Sequence, residues 1–217
     1  MSIKNNLLEI KASLPENVTL VAVSKTKPVS DLLEAYEAGQ RIFGENKIQE
    51  MSDKFEQMPK DIEWHMIGHV QTNKVKFMTP FVSLIHGVDS LKLLEEINKQ
   101  ALKNDRIIDC LLQIHIAEED TKFGLDEDEL NEILKLVQND KFENIKIKGL
   151  MGMATFTENQ DQIKKEFLHL KAIFEKCSIL NSNFSLLSMG MSGDYQLAIE
   201  CGSTMVRIGS SIFGGRK

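Results

Sequence analysis

The chain has 217 residues, of which 42% are hydrophobic and 27% are charged, and its formal net charge is −6. This composition is ordinary for a globular protein, and the length allows one large domain or two small ones. The negative charge argues against general binding to nucleic acid or to anionic membranes, because both partners reward clustered Lys and Arg.

The cysteines and the N-terminus indicate a cytoplasmic protein. Cys110, Cys177 and Cys201 are widely spaced and form no CxxC pair, which suits a reducing compartment. The first residues lack the apolar core of a signal peptide, and no stretch approaches membrane-spanning length. We therefore expect no membrane anchor. The histidines show no metal-ligand spacing, so we also expect no metal site.

Short apolar runs alternate with helical periodicity along the whole chain. After an N-terminal helix over 3–12, the first strand is predicted at 19–23, where nearly continuous apolar residues are typical of a strand buried on both faces. A helix follows from Ser30, as its N-cap, to Ala38, with Gly39 as its stop. Further strands are predicted at 42–43, 62–67, 82–86, 107–116, 145–150, 184–187 and 205–208, and the clearest later helices at 91–102, 127–137 and 162–177.

Eight strands that alternate with helices predict parallel pairing, because a parallel strand needs a crossover connection. An open doubly wound sheet and a closed barrel are both compatible with this order. The strand count favours the barrel, whose usual length begins at roughly 200 residues. No low-complexity linker divides the chain, so we predict one α/β domain over 1–217, a (β/α)8 TIM-type barrel with an extra N-terminal helix.

Polar residues follow several strands at the carboxyl end, where barrels carry their functional sites. Lys25 follows the first strand, and desolvation there favours the neutral amine that forms an imine with an aldehyde. The alternative for an isolated lysine is a side chain that extends into water. Asn46 and His69 are candidates to orient ligand groups, although a lone histidine is more often structural.

Two loops rich in glycine and serine follow the last two strands, at 189–193 and 208–211. Barrels often bind phosphate with these loops and the start of a short helix. Glycines admit an anion close to the backbone, hydroxyls donate to it, and a helix N-terminus favours negative charge. Either loop alone reads as an ordinary turn, but together they predict a phosphate site. Arg207 beside them could bind the phosphate or another polar part of the ligand.

Five stretches carry a resemblance to a known family: VAVSKTKP at 21–28, FGEN at 43–46, WHMIGHVQTNK at 64–74, SMGMS at 188–192 and RIGS at 207–210. Over its whole length the chain resembles the pyridoxal 5′-phosphate (PLP) homeostasis proteins, which have the barrel of the alanine racemase N-terminal domain. Val70 stands where Leu is common, and no departure touches the cofactor positions.

The resemblance implies that PLP is held as a Schiff base on Lys25, and that Ser192, Gly209 and Ser210 hold its phosphate. It also places Arg207 near the pyridine nitrogen, where a cation keeps that nitrogen unprotonated and weakens PLP as an electron sink. The implied function is intracellular PLP (vitamin B6) homeostasis by storage or transfer, with no catalytic residue. PLP-dependent apo-enzymes are the implied partners.

Two enzymatic alternatives stay open. A PLP-dependent amino-acid racemase of weak activity needs acid/base groups on both faces of the substrate carbanion. Tyr36, predicted on an outer helix, and Tyr195, near the phosphate loop, are not evident second bases, and the racemase domain that supplies one is expected to be missing, which also makes a monomer the expectation. The other alternative is an aldolase-type barrel whose lysine forms an imine with its substrate.

Overall fold

The computed structural model describes residues 2–119, 123–139, 141–181 and 183–215. Eight parallel strands close into a barrel in chain order, and the last strand pairs with the first. The strands are β1 (Thr19–Val23), β2 (Ile42–Glu45), β3 (Glu63–Met66), β4 (Leu84–Val88), β5 (Ile108–Gln113), β6 (Ile145–Met151), β7 (Leu186–Met191) and β8 (Met205–Ile208). The predicted barrel is therefore confirmed, and the open sheet is wrong.

Helices connect the strands on the outside of the barrel. They are α1 (Ile3–Ser13), α2 (Val29–Glu37), α3 (Ile48–Gln57), a 3₁₀ helix (Thr72–Phe77), α4 (Leu91–Lys103), α5 (Glu127–Gln138), α6 (Gln160–Leu180), α7 (Tyr195–Glu200) and α8 (Ser210–Phe213). The predicted N-terminal helix is confirmed as α1, and the other predicted helices are confirmed as α2, α4, α5 and α6. The four shorter or more polar segments (α3, the 3₁₀ helix, α7 and α8) were not predicted.

The start of α2 differs from the prediction. Pro28 occupies the N-cap and makes no side-chain cap, so Ser30 lies inside the helix. Proline suits this position because its fixed φ and missing N–H cost nothing at a helix start. Gly39 follows the helix with φ +88°, the left-handed conformation that glycine adopts without a Cβ penalty, so its prediction as the stop is confirmed.

Alternate strand residues divide between two apolar shells, as the two-residue period of a strand requires. A small cluster fills the barrel itself and consists of Val21, Ile67, Leu84, Leu111, Met151 and Met205. A larger cluster lies between strands and helices and includes Phe43, Trp64 and Phe167, all fully buried. Because β1 feeds both shells, its nearly continuous apolar sequence is explained by burial on two faces.

Gly149 lies where the backbones of β6 and β7 approach each other closely. It has φ +152°, and a Cβ at this position would lie 1.8 Å from the carbonyl oxygen of Leu186 in β7. The β5–β6 register also shifts between Cys110 and Leu111, and Leu111 lies opposite Gly149. A residue without a side chain is therefore required where the barrel wall bends.

None of the helices in the described ranges has the combination of length and apolar character that crossing a bilayer needs. Within the same part of the chain, no three His, Cys, Asp or Glu side chains are grouped so that they could hold a metal ion.

Candidate functional site

A cavity of about 410 Å³ opens at the carboxyl ends of the strands. Six of the seven predicted site residues line it: Lys25, Asn46, Ser192, Arg207, Gly209 and Ser210. The rest of its wall is formed by Val23, Thr26, Lys27, Ile67, Met153, Phe156, Met191, Gly193 and Gly214. Barrel closure brings these groups together, because β1 is hydrogen-bonded to β8 with Val21 opposite Arg207.

His69, the seventh predicted residue, is not part of this wall. Its exposed ring stacks on Phe123 with centroids 4.0 Å apart, and its Nδ1 lies 2.9 Å from Oδ2 of Asp89. These contacts orient the ring toward the β4 and β5 loops. The role of His69 toward a ligand therefore stays a prediction that its described contacts do not support.

Lys25 lies in a tight turn directly after β1. The Lys27 N–H donates to the carbonyl of Ser24 over 3.1 Å, so that Lys25 and Thr26 are the two central residues of the turn. Thr26 has φ +64°, a left-handed conformation that is a genuine outlier for a β-branched residue. The half-buried Lys25 side chain thus leaves the backbone from a constrained position and contributes to the cavity wall.

The loops after β7 and β8 meet at the cavity mouth beside the end of β1. The Gly209 N–H donates to Oγ of Ser192 over 3.2 Å, which joins the two predicted phosphate loops. A Cβ at residue 209 would lie 3.0 Å from the Val23 carbonyl oxygen, so this loop packs tightly against the end of β1. Helix α8 begins at Ser210, and the N–H groups of Ser210 and Ser211 have no partner within the helix. Two hydroxyls and these amides form a donor set that fits a phosphate group.

Arg207 forms the inner wall of the cavity and is almost completely buried. One guanidinium nitrogen donates to the Ser188 carbonyl (2.9 Å) and hydroxyl (2.6 Å), and the other donates to the Gly152 carbonyl (3.1 Å). Burial lowers the pKa of Arg207 to about 10, so the group stays a cation at neutral pH. A fixed positive charge therefore faces whatever occupies the cavity.

Ser188, which accepts from Arg207, also contacts a pair of buried histidines. Nδ1 of His86 lies 3.0 Å from the Ser188 hydroxyl, and Nε2 of His86 lies 3.0 Å from Nδ1 of His65. In the contact between the rings, one of the two facing nitrogens donates its proton and the other must be unprotonated to accept it. Burial lowers the pKa of His65 to about 3 and also lowers that of His86, so both rings are neutral.

Neither tyrosine lines the cavity, which bears on the racemase alternative. Tyr36 lies on the outer helix α2, as predicted, and its hydroxyl donates to Asp61 over 2.8 Å. Tyr195 is the first residue of α7 and is half-buried. Lys54 is buried and contacts the Lys25 turn, but it was not among the predicted site residues, because nothing in the local sequence distinguishes it from a solvated helix lysine.

Comparisons with known proteins identify the family of the chain. The family model described as the alanine racemase N-terminal domain matches residues 1–217. The pyridoxal phosphate homeostasis protein of Pasteurella multocida is 37% identical, with 100% of this chain and 98% of the relative covered. The protein of the same name from Aquifex aeolicus is 38% identical, with 91% and 87% covered.

Solved structures show the same relationship. PipY of Synechococcus elongatus without PLP is 32% identical with a TM-score of 0.93, covering 98% of this chain and 100% of that one. PipY with PLP bound gives a TM-score of 0.89 at the same identity and coverage. An alanine racemase from Clostridium difficile gives 0.80 at 17% identity, with 99% of this chain and 56% of the racemase covered, a likeness in fold alone. The chain therefore belongs to the family of pyridoxal phosphate homeostasis proteins, built on the barrel of the alanine racemase N-terminal domain.

Proposed function

We propose that this protein binds PLP in the 410 Å³ cavity as a Schiff base on Lys25, and that it acts in vitamin B6 homeostasis by storing or transferring the cofactor. One observation carries the proposal: Lys25 and the donor set around Ser192, Gly209 and Ser210 line the same cavity. An aldehyde that carries a phosphate ester requires an amine and an anion site within reach of each other. The names of the curated relatives and the PLP-bound PipY structure support this assignment.

Each wall residue has a separate role in this proposal. Ser192, Ser210 and the first amides of α8 bind the phosphate, and Asn46 orients a polar substituent of the ring. Arg207 faces the pyridine nitrogen and keeps it unprotonated. When bound, PLP supplies an electrophilic imine carbon and an electron sink, and the sink is weak beside a fixed cation. The arrangement therefore favours holding PLP over carbanion chemistry.

The test is borohydride reduction of the full-length protein after titration with PLP. The expected result is a visible imine band and, after reduction, a pyridoxyl group located on Lys25 by mass spectrometry. Lys25→Ala should abolish both signals. The matched control is Lys47→Ala, which should retain the imine band and the pyridoxyl adduct, because Lys47 is an exposed residue after β2 and lies outside the cavity wall. A pyridoxyl group on another lysine of the wild type would refute the proposal.

The same samples separate the enzymatic alternatives. An aldolase-type lysine predicts a purified protein that is colourless at rest and shows no imine band. A racemase predicts that D-alanine accumulates from L-alanine in the wild type and not in Lys25→Ala.

We further propose that a PLP-dependent apo-enzyme receives the cofactor and that the donor is a monomeric, single-domain protein. Recovery of apo-enzyme activity after mixing with the PLP-loaded protein tests the transfer, and light scattering tests the monomeric state.

A further inference from the structure

The turn that carries Lys25 rests on a buried ammonium group. Lys54 comes from α3, and only 6% of its side chain is exposed. Its Nζ donates to the Ser24 carbonyl over 2.8 Å, and to Oε1 of Glu45 and Oε1 of Glu50 over 2.7 Å each. An ammonium has three donors, and these three contacts use all of them. Lys54 is thus completely committed to groups around the turn.

The two carboxylates extend the contact to both sides of Lys25. Oε1 of Glu50 also accepts the backbone N–H of Thr26 over 2.5 Å. Oε1 of Glu45, which is fully buried, also accepts the Ser24 hydroxyl over 2.6 Å. The residue before Lys25 and the residue after it are therefore anchored to the same ionic cluster, formed by Lys54, Glu45 and Glu50.

The backbone conformation explains why such an anchor is needed. Thr26 has φ +64°, which crowds the Cβ of any residue except glycine. Strained conformations of this kind persist only where the surroundings over-determine them, and they concentrate at functional sites. A buried ion pair contributes little net stability, because desolvation offsets the attraction between the charges. The cluster is better explained by the conformation that it enforces.

We propose that Lys54 is a positioning residue for Lys25: with Glu45 and Glu50 it holds the left-handed turn at Thr26 so that the Lys25 amine leaves a fixed backbone toward the cavity. This inference rests on the proposed function of Lys25. It assigns Lys54 no contact with the ligand, since Lys54 is not in the cavity wall. Its effect should therefore fall on imine formation and not on phosphate binding.

The experiment compares two ligands. PLP carries the aldehyde, whereas pyridoxine 5′-phosphate has the same ring and phosphate without it. Lys54→Met alone would leave Glu45 buried without a counter-charge, so the main variant is Lys54→Met/Glu45→Gln. Stopped-flow absorbance should show imine formation slowed by about tenfold to a hundredfold, since misplacing a reacting group by 1 Å can cost about a hundredfold. The dissociation constant for pyridoxine 5′-phosphate should stay within about twofold of the wild type.

A second variant keeps the test decisive if the double variant does not fold. Glu50→Ala removes the acceptor of the Thr26 N–H from a side chain that is 24% exposed, and it should slow imine formation in the same way. Thr26→Gly in either background should restore part of the rate, because glycine adopts positive φ without strain. The control is Lys99→Met, which breaks an exposed ion pair with Glu96 on α4 and should leave the rate unchanged.

The outcomes separate the two proposals. If wild-type protein forms no adduct on Lys25, the proposed function is wrong. If the adduct forms and the folded variants react at the wild-type rate, only the positioning role of Lys54 is wrong. Equal loss of affinity for both ligands, without recovery by Thr26→Gly, would mean that the cluster is merely structural and would also overturn this inference.

Discussion

Acidification should destabilise the barrel through its buried histidine pair. His65 and His86 are 3% and 0% exposed, and the hydrogen bond between Nε2 of His86 and Nδ1 of His65 requires that one of these two nitrogens is unprotonated. Burial lowers the pKa of His65 to about 3, whereas a histidine in the unfolded chain titrates near 6.5. As the pH falls below 6.5, the His65 imidazole binds a proton in the unfolded chain but not in the folded protein. Stability that is present above pH 6.5 is therefore lost progressively toward pH 3.

The size of the loss follows from the two pKa values of His65. Between them, each pH unit costs about 1.4 kcal/mol of unfolding free energy per histidine. From about pH 7 to about pH 4.5, His65 alone should remove about 2–3 kcal/mol. His86 acts in the same direction, because burial and the nearby His65 and Arg207 lower its pKa as well. A loss of this size is a substantial part of the stability of a typical domain.

Urea unfolding of the wild type and of His65→Gln across this pH range measures the effect. The glutamine amide can accept from His86 or donate to it but does not take up a proton, so the variant should lose about 2–3 kcal/mol less than the wild type. His169→Gln, on the exposed face of α6, is the control for removing a histidine. Parallel pH profiles for the wild type and His65→Gln would refute the argument.

Three further predictions concern single positions. Ser192→Ala should weaken PLP binding about tenfold in absorbance titrations, because it removes a hydrogen bond to the charged phosphate. The affinity for unphosphorylated pyridoxal should stay unchanged, and an equal loss for both ligands would contradict the phosphate assignment. Gly149→Ala should lower the free energy of unfolding in urea by at least about 2 kcal/mol, since the alanine Cβ would lie 1.8 Å from the Leu186 oxygen. An unchanged free energy of unfolding would contradict this close approach. Phe156→Ser should change stability by less than about 0.5 kcal/mol, because Phe156 is 95% exposed, and a large loss would mean that the side chain is packed.

Much of the fold could be predicted because its signals are local. The two-residue period of the strands, the longer helical period and Gly39 as a stop are all contained in short windows of sequence. They predicted eight strands, each overlapping an observed one, and a site at their carboxyl ends, although β7 begins at Leu186 and continues to Met191 through residues that were predicted as a loop. Helix α3 escaped prediction because most of its residues are polar, and only three are buried in the structure.

The sequence by itself determined the number and order of the strands, the lysine after β1 and the glycine-serine loops after β7 and β8, because each depends on residues close together in the chain. Only the tertiary structure decided that β1 pairs with β8, that Lys54 is buried beneath the Lys25 turn, and that His69 contacts Asp89 outside the cavity wall. These outcomes depend on the burial and charge of residues 20 or more positions away. Local periodicity carries no information on such distant neighbours, and desolvation and hydrogen bonding act only once closure of the barrel has brought them together.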